Sequence, residues 1–217
     1  RRIWPLDFRF VPLSVGHILL EGDFQYQDVG LREGFPLTLS RAALVASLLL
    51  ACVLPGAAAD CQALLEQHRA TDFKLPYQQF DQTMDSGFRV LAAAGCDKEA
   101  ADLIEEYIRV NHATQNSLRW HVAQLRATQG DYAEAIQYAR TCLTAKEDFA
   151  AHPLRWNDYV RATIAFLQHD RHALLQYRDR IALGKDYKGN AINLRLVDSL
   201  VRYFDKDYKY ATSHIEP

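Results

Sequence analysis

Methionine, cysteine, glycine and proline are all scarce in this 217-residue chain, and neither sign of charge dominates. Four Cys are too few for a disulfide knot. A formal net charge of -2 and a pI near 6.5 leave no basic surplus for nucleic acid or anionic lipid. The chain has no C-x-x-C, G-x-S-x-G, H-E-x-x-H, P-loop or G-x-G-x-x-G, so it carries none of the short motifs of redox, hydrolytic or nucleotide chemistry. What is present, 49% hydrophobic and 24% charged residues, is ordinary globular usage and excludes wholesale disorder.

Breakers concentrate early. Five of the 10 Gly and four of the 7 Pro precede Ala57. Residues 1–30 hold neither a 3.6-residue nor a 2-residue period. Residue 1 is Arg, and the only Met is Met84. These features lead us to expect 1–30 to be an unstructured, non-native leader, with Val29 or Leu31 as an alternative start. Residues 31–59 then have the three-part layout of a secretory signal peptide. Arg32 and Arg41 form a basic flank, Ala42–Leu54 is an uncharged apolar run of 13 residues, and Pro55-Gly56 precedes small residues at Ala57 and Ala59, the expected cleavage positions. Thirteen residues are too short for a bilayer core that needs about 20. The expected location is therefore periplasmic or secreted, without a transmembrane span in the mature protein. The stretch Leu49-Leu50-Ala51-Cys52 loosely resembles a lipobox and gives the alternative of a lipoprotein anchored at Cys52.

Residues 60–217 carry 20 Lys+Arg against 22 Asp+Glu, with five Gly and three Pro, and helical spacing dominates them. Asp60, Asp97, Asp131 and Asp170 read as helix N-caps. Apolar faces follow at Cys61–His68, Phe88–Ala92, Ala100–Ile108, Leu118–Leu125, Ala135–Leu143, Trp156–Phe166, Leu174–Ile181 and, from Asn190, Leu194–Phe204. Pro76 reads as an interruption, leaving residues 73–82 as a loop. We expect an all-α domain over 60–205 and a frayed tail over 206–217.

Residues 95–100 (GCDKEA) align with 130–135 (GDYAEA) at a spacing of 35, and more weakly with 169–174 (HDRHAL). The stretch 127–143, ATQGDYAEAIQYARTCL, resembles the turn and second helix of a tetratricopeptide repeat. Gly130 stands at the turn, Asp131 at the cap and Ala135 at the helix crossing. The first helix of that unit departs from the pattern, with Arg119 and Arg126 at its usual aromatic positions. The resemblance covers roughly 82–182 and implies a short array of antiparallel helical hairpins. It also implies a groove for a protein or peptide partner, lined by Gln82, Asp85 and Arg89, then Ser117, Trp120 and Gln124, then Trp156, Tyr159 and Thr163. Trp, Tyr and Arg suit such a role because they dominate binding hot spots.

After cleavage Cys61, Cys96 and Cys142 remain. Cys142 falls at a small buried repeat position, so Cys61 with Cys96 is the expected disulfide. His169 and His172 straddle a helix start without the further ligands that a structural zinc needs, so neither metal nor cofactor is expected. Adjacent Glu105 and Glu106 point in different directions and make no acid/base pair. The expected role is a non-catalytic protein- or peptide-binding module of the bacterial cell envelope. The alternatives are an enzyme or small-ligand pocket around Trp120, His121, Trp156 and Tyr159, or a structural subunit of an envelope assembly.

Overall fold

The computed structural model describes residues 60–216, all within one compact unit. The leader, the signal segment, Cys52 and the cleavage positions Ala57 and Ala59 lie outside the described residues. Among the described residues the structure is all-α, with ten helices and no strand. The first six are α1 (Cys61–Asp72), α2 (Tyr77–Gln82), α3 (Phe88–Ala93), α4 (Asp97–Asn111), α5 (Asn116–Gln129) and α6 (Tyr132–Thr141). After a 142–155 connection come α7 (Trp156–Leu167), α8 (Arg171–Ala182), α9 (Lys188–Arg202) and α10 (Tyr208–Ser213).

Local capping chemistry explains four of the ten starts. Asp60, Asp131 and Asp170 each accept a hydrogen bond from the backbone N–H three residues on. Asp97 differs from expectation. It is the first residue of α4 rather than its cap, and its carboxylate accepts from Lys209 at 3.5 Å. Pro76 also acts otherwise than expected. It occupies the N-cap position of α2, where a missing N–H costs nothing, so residues 77–82 are helix with Phe80 and Asp81 buried. The last correction concerns the tail. Residues 208–213 form α10, capped by Asp207, with Tyr208 and Ala211 buried.

Two apolar cores meet at α5. Leu118, Val122 and Leu125 face a core built with α1–α4, while Trp120, Ala123 and Ala127 face a second core built with α6–α10. Because α5 is buried on both sides, it also buries the polar side chains of His121, Gln124 and Arg126, which need partners there. Its one buried cation, Arg126, ties three helices together, donating to Asp102 and Glu105 of α4 at 2.7 Å and forming an ion pair with Glu134 of α6 at 2.9 Å. At the other end α1 is fastened by the Cys61–Cys96 disulfide and by Arg69, whose guanidinium engages Glu106 of α4.

Side-chain amides hold the long connection. Asn157 accepts from the Thr144 backbone N–H and donates to the Thr144 carbonyl. Asn190, fully buried, accepts from the Arg155 N–H and donates to the carbonyls of Pro153 and Gly184. No helix among the described residues is long and apolar enough to cross a membrane.

Candidate functional site: the seat of the C-terminal helix

The nine residues expected to line a groove divide between the two sides of α5. Trp120, Trp156 and Tyr159 pack edge-on, with ring centroids 5.2–5.9 Å apart, and all three are buried. The Trp156 indole N–H donates to the Cys142 carbonyl at 2.8 Å, which locks it between α6 and α7. Thr163 bonds back to the Tyr159 carbonyl, one turn earlier in α7. These residues are therefore core in this structure, not an open aromatic surface. The residues of the alternative pocket, Trp120, His121, Trp156 and Tyr159, are likewise all buried.

What covers this aromatic layer is α10. Tyr208 is 2% exposed and lies in the same core as Trp120 and Tyr159. Its ring is 6.2 Å from that of Phe166. Burial pushes its phenol far above the ordinary range, opposed by a hydrogen bond from Gln124. Burial raises the Tyr159 hydroxyl in the same way, helped by the neighbouring Tyr208. Both phenols therefore stay neutral.

Polar side chains from three other helices engage the backbone and the basic residue of α10. Tyr132 of α6 accepts from the Tyr208 N–H at 3.0 Å. Ser199 of α9 donates to the Ala211 carbonyl at 2.6 Å. Asp97 of α4 accepts from Lys209. Burial raises the Asp97 carboxyl, and Lys209 opposes that rise. None of these contact residues was among those expected to line a groove. Tyr208 was missed although Asp207, a good N-cap, immediately precedes it. The remaining contacts pair residues far apart in the chain and leave no local pattern.

On the opposite side of α5 the structure assembles a second polar cluster. Asp81 of α2, Arg89 of α3 and His121 of α5 are all buried. Asp81 Oδ1 is 3.3 Å from His121 Nε2, and Arg89 Nη2 is 3.5 Å from that same nitrogen. Arg89 Nε donates to the Asp81 backbone carbonyl, and Gln82 bonds the Asp81 carboxylate. The Tyr77 hydroxyl pairs with Ser117 at 2.7 Å. Asp85 stays on the exposed turn after α2.

His121 Nδ1 is 3.2 Å from the Gln124 side-chain oxygen. Burial lowers the His121 pKa, outweighing Asp81, so the imidazole is neutral. A buried anion beside a buried guanidinium and a neutral imidazole is a charge-balanced structural arrangement.

The cysteines follow their own chemistry. Cys61 and Cys96 are bridged, and Glu99 lies near their sulfurs. Cys142 is free and buried, and burial pushes its thiol up to about 11, which removes the thiolate needed for nucleophilic chemistry. His169 stacks on Phe204 at 4.4 Å. No family model, no curated protein and no solved structure matches this chain.

Proposed function

We propose that this protein is an exported, non-catalytic helical-repeat module that holds a short protein or peptide segment in the cell envelope of a bacterium. The observation that carries this reading is the seat of α10. Side chains from α4, α6 and α9 converge on one six-residue helix and bond its basic residue, its first N–H and a late carbonyl. Reading out a short helix in this way is the task that the tetratricopeptide-like spacing of 82–182 implies for the array. Export is supported by the Cys61–Cys96 bridge, since disulfides persist in oxidising compartments. The periplasm is the favoured compartment, with a lipid anchor at Cys52 as the alternative attachment.

The test is proximity cross-linking in the envelope fraction, comparing the native chain with an Asp97→Lys, Tyr132→Phe variant. Both residues sit at the rim of the seat, where substitution spares the core; truncating Trp120 or Tyr159 would unfold it. We expect at least one cross-linked partner to be depleted in the variant. Identical partner profiles for the two chains would refute the reading.

A further inference from the structure

We infer that Cys61, Cys96 and Glu99 form a redox-gated site for zinc, closed while the two sulfurs are bridged and open once a dithiol reductant has cleaved the bridge. The first support is the donor set. The two sulfurs and a Glu99 carboxylate oxygen all lie within 4.8 Å of one another. Two thiolates and a carboxylate are ligands that zinc takes, and water in the fourth position completes a tetrahedral shell. The loaded site carries one net negative charge. Cys61 opens α1 and Cys96 is the N-cap of α4, and helix N-termini favour such a charge.

The second support is that Glu99 is uncommitted. It holds the third position of α4, from which a glutamate commonly reaches back to the N–H of the capping residue. Here the Cys96 N–H donates to the Leu91 carbonyl instead, at 2.9 Å. Among the described residues no group bonds the Glu99 carboxylate.

The third support is that the two cysteines stay together without their bond. Leu65 of α1 is buried in a core shared with α4, and Arg69 engages Glu106. Just beyond α1, the carbonyls of Phe73 and Leu75 accept from Asn111 and Tyr107 of α4 at 3.1 and 2.9 Å. The two Cα atoms are 5.4 Å apart. Freed thiols are thus confined where one metal ion reaches both.

Opening the site is an ordinary thiol–disulfide exchange. A thiolate of the reductant attacks the sulfur of Cys61, which is half-buried whereas Cys96 is buried. A bond forms between reductant and Cys61, the Cys61–Cys96 bond breaks, and its electron pair leaves on Cys96. That thiolate sits at the N-cap of α4, where no side chain accepts from the first turn in the bridged state. The reductant's second thiol then displaces Cys61, so the dithiol becomes a disulfide and the protein pair is reduced. Zinc binding releases the two thiol protons to solvent. In an oxidising compartment the bridge persists and the site stays closed, so this inference is independent of the binding reading above.

The decisive experiment titrates Co²⁺ and Zn²⁺ into the full chain, bridged or reduced with a phosphine that is then removed without air. We expect the reduced chain to show thiolate-to-cobalt absorption with the visible bands of a tetrahedral site, and to melt at a higher temperature with Zn²⁺. The bridged chain should do neither. Losing an outer-shell partner typically costs roughly 10–100-fold in metal affinity, so Glu99→Gln, which removes a direct ligand, should weaken zinc binding by at least about tenfold. Cys142→Ala should leave it unchanged.

The inference is overturned if the reduced, folded chain gives no thiolate-to-cobalt band, if Glu99→Gln binds as the native chain does, or if Cys142→Ala abolishes binding. Should reduction unfold the metal-free chain, Zn²⁺ must restore its helical circular dichroism, and failure to do so overturns the inference equally.

Discussion

Gly87 shows how one missing methyl can decide a turn. Its φ is +61°, and a Cβ there would lie 2.0 Å from the Phe80 carbonyl oxygen, so the α2–α3 turn closes only around a hydrogen atom. Gly130 also has positive φ, +88°, but a Cβ on it would meet nothing within 4 Å. The two positions separate conformational strain from collision. Gly130→Ala should cost about 1–2 kcal/mol, the price of a left-handed conformation alone. Gly87→Ala should cost roughly 3 kcal/mol or more, because α2 must also move away from α3. Urea denaturation of both variants checks this, and equal losses would show that the Phe80 contact is not what constrains Gly87. The Gly130 turn was legible in the sequence, since Gly followed by a capping Asp is a local signature. The Gly87 contact was not, because the backbone it meets lies seven residues back and belongs to a helix that Pro76 appeared to forbid.

Among the elements, α5 organises the rest and also carries His121, whose titration is coupled to folding. His121 faces Asp81 from α2, Arg89 from α3 and Gln124 from its own helix, with the Phe88 ring 5.2 Å away. Burial depresses its folded-state pKa. For a His, a depressed folded pKa means that the unfolded chain binds the proton more readily. The native state therefore has its full stability from this site above the unfolded pKa, about 6.5. It loses stability as pH falls below that value, at up to about 1.4 kcal/mol per pH unit, until the folded pKa is reached.

A His121→Gln variant keeps a hydrogen-bonding side chain without the titration. The stability gap between native chain and variant should narrow as pH falls from 6 to 5. A gap that does not change with pH would assign the acid sensitivity elsewhere. Glu134, Glu105 and Asp102 all converge on Arg126, and that junction replaces the aromatic packing that the repeat pattern places at the same position. The departure of Arg126 from the pattern was visible in the sequence. Its solution, three carboxylates from two neighbouring helices, was not.

At the scale of the whole molecule, two cores share α5, and the ends of the described chain are fastened in different ways. The N-terminal fastening is covalent: Cys61 and Cys96, 35 residues apart in sequence, tie α1 to the start of α4. Reduction should lower stability by about 3–4 kcal/mol on chain-entropy grounds. For a body of this size that is a fall in Tm of about 10 °C. Calorimetry with and without a phosphine reductant measures it, and an unchanged Tm would mean that Leu65 packing and the Arg69–Glu106 pair hold α1 unaided. The C-terminal fastening is non-covalent: Phe204, Tyr208 and Ala211 are buried in the second core, Ile215 packs against it, and Ser199 and Tyr132 bond the backbone of α10.

The sequence by itself determined whatever depends on neighbours within a turn or two. Asp60, Asp131 and Asp170 cap helices, the apolar spacing makes the chain all-α, and cysteine arithmetic selects Cys61 with Cys96. Only the tertiary structure decided that the expected aromatic groove is core, that α2 is a helix, and that the tail folds back to cover the groove. Those outcomes rest on pairs such as Tyr132 with Tyr208, 76 residues apart, and Asp97 with Lys209, 112 apart. Their free energy is gained only once the intervening helices have packed, so no run of adjacent residues carries its signature.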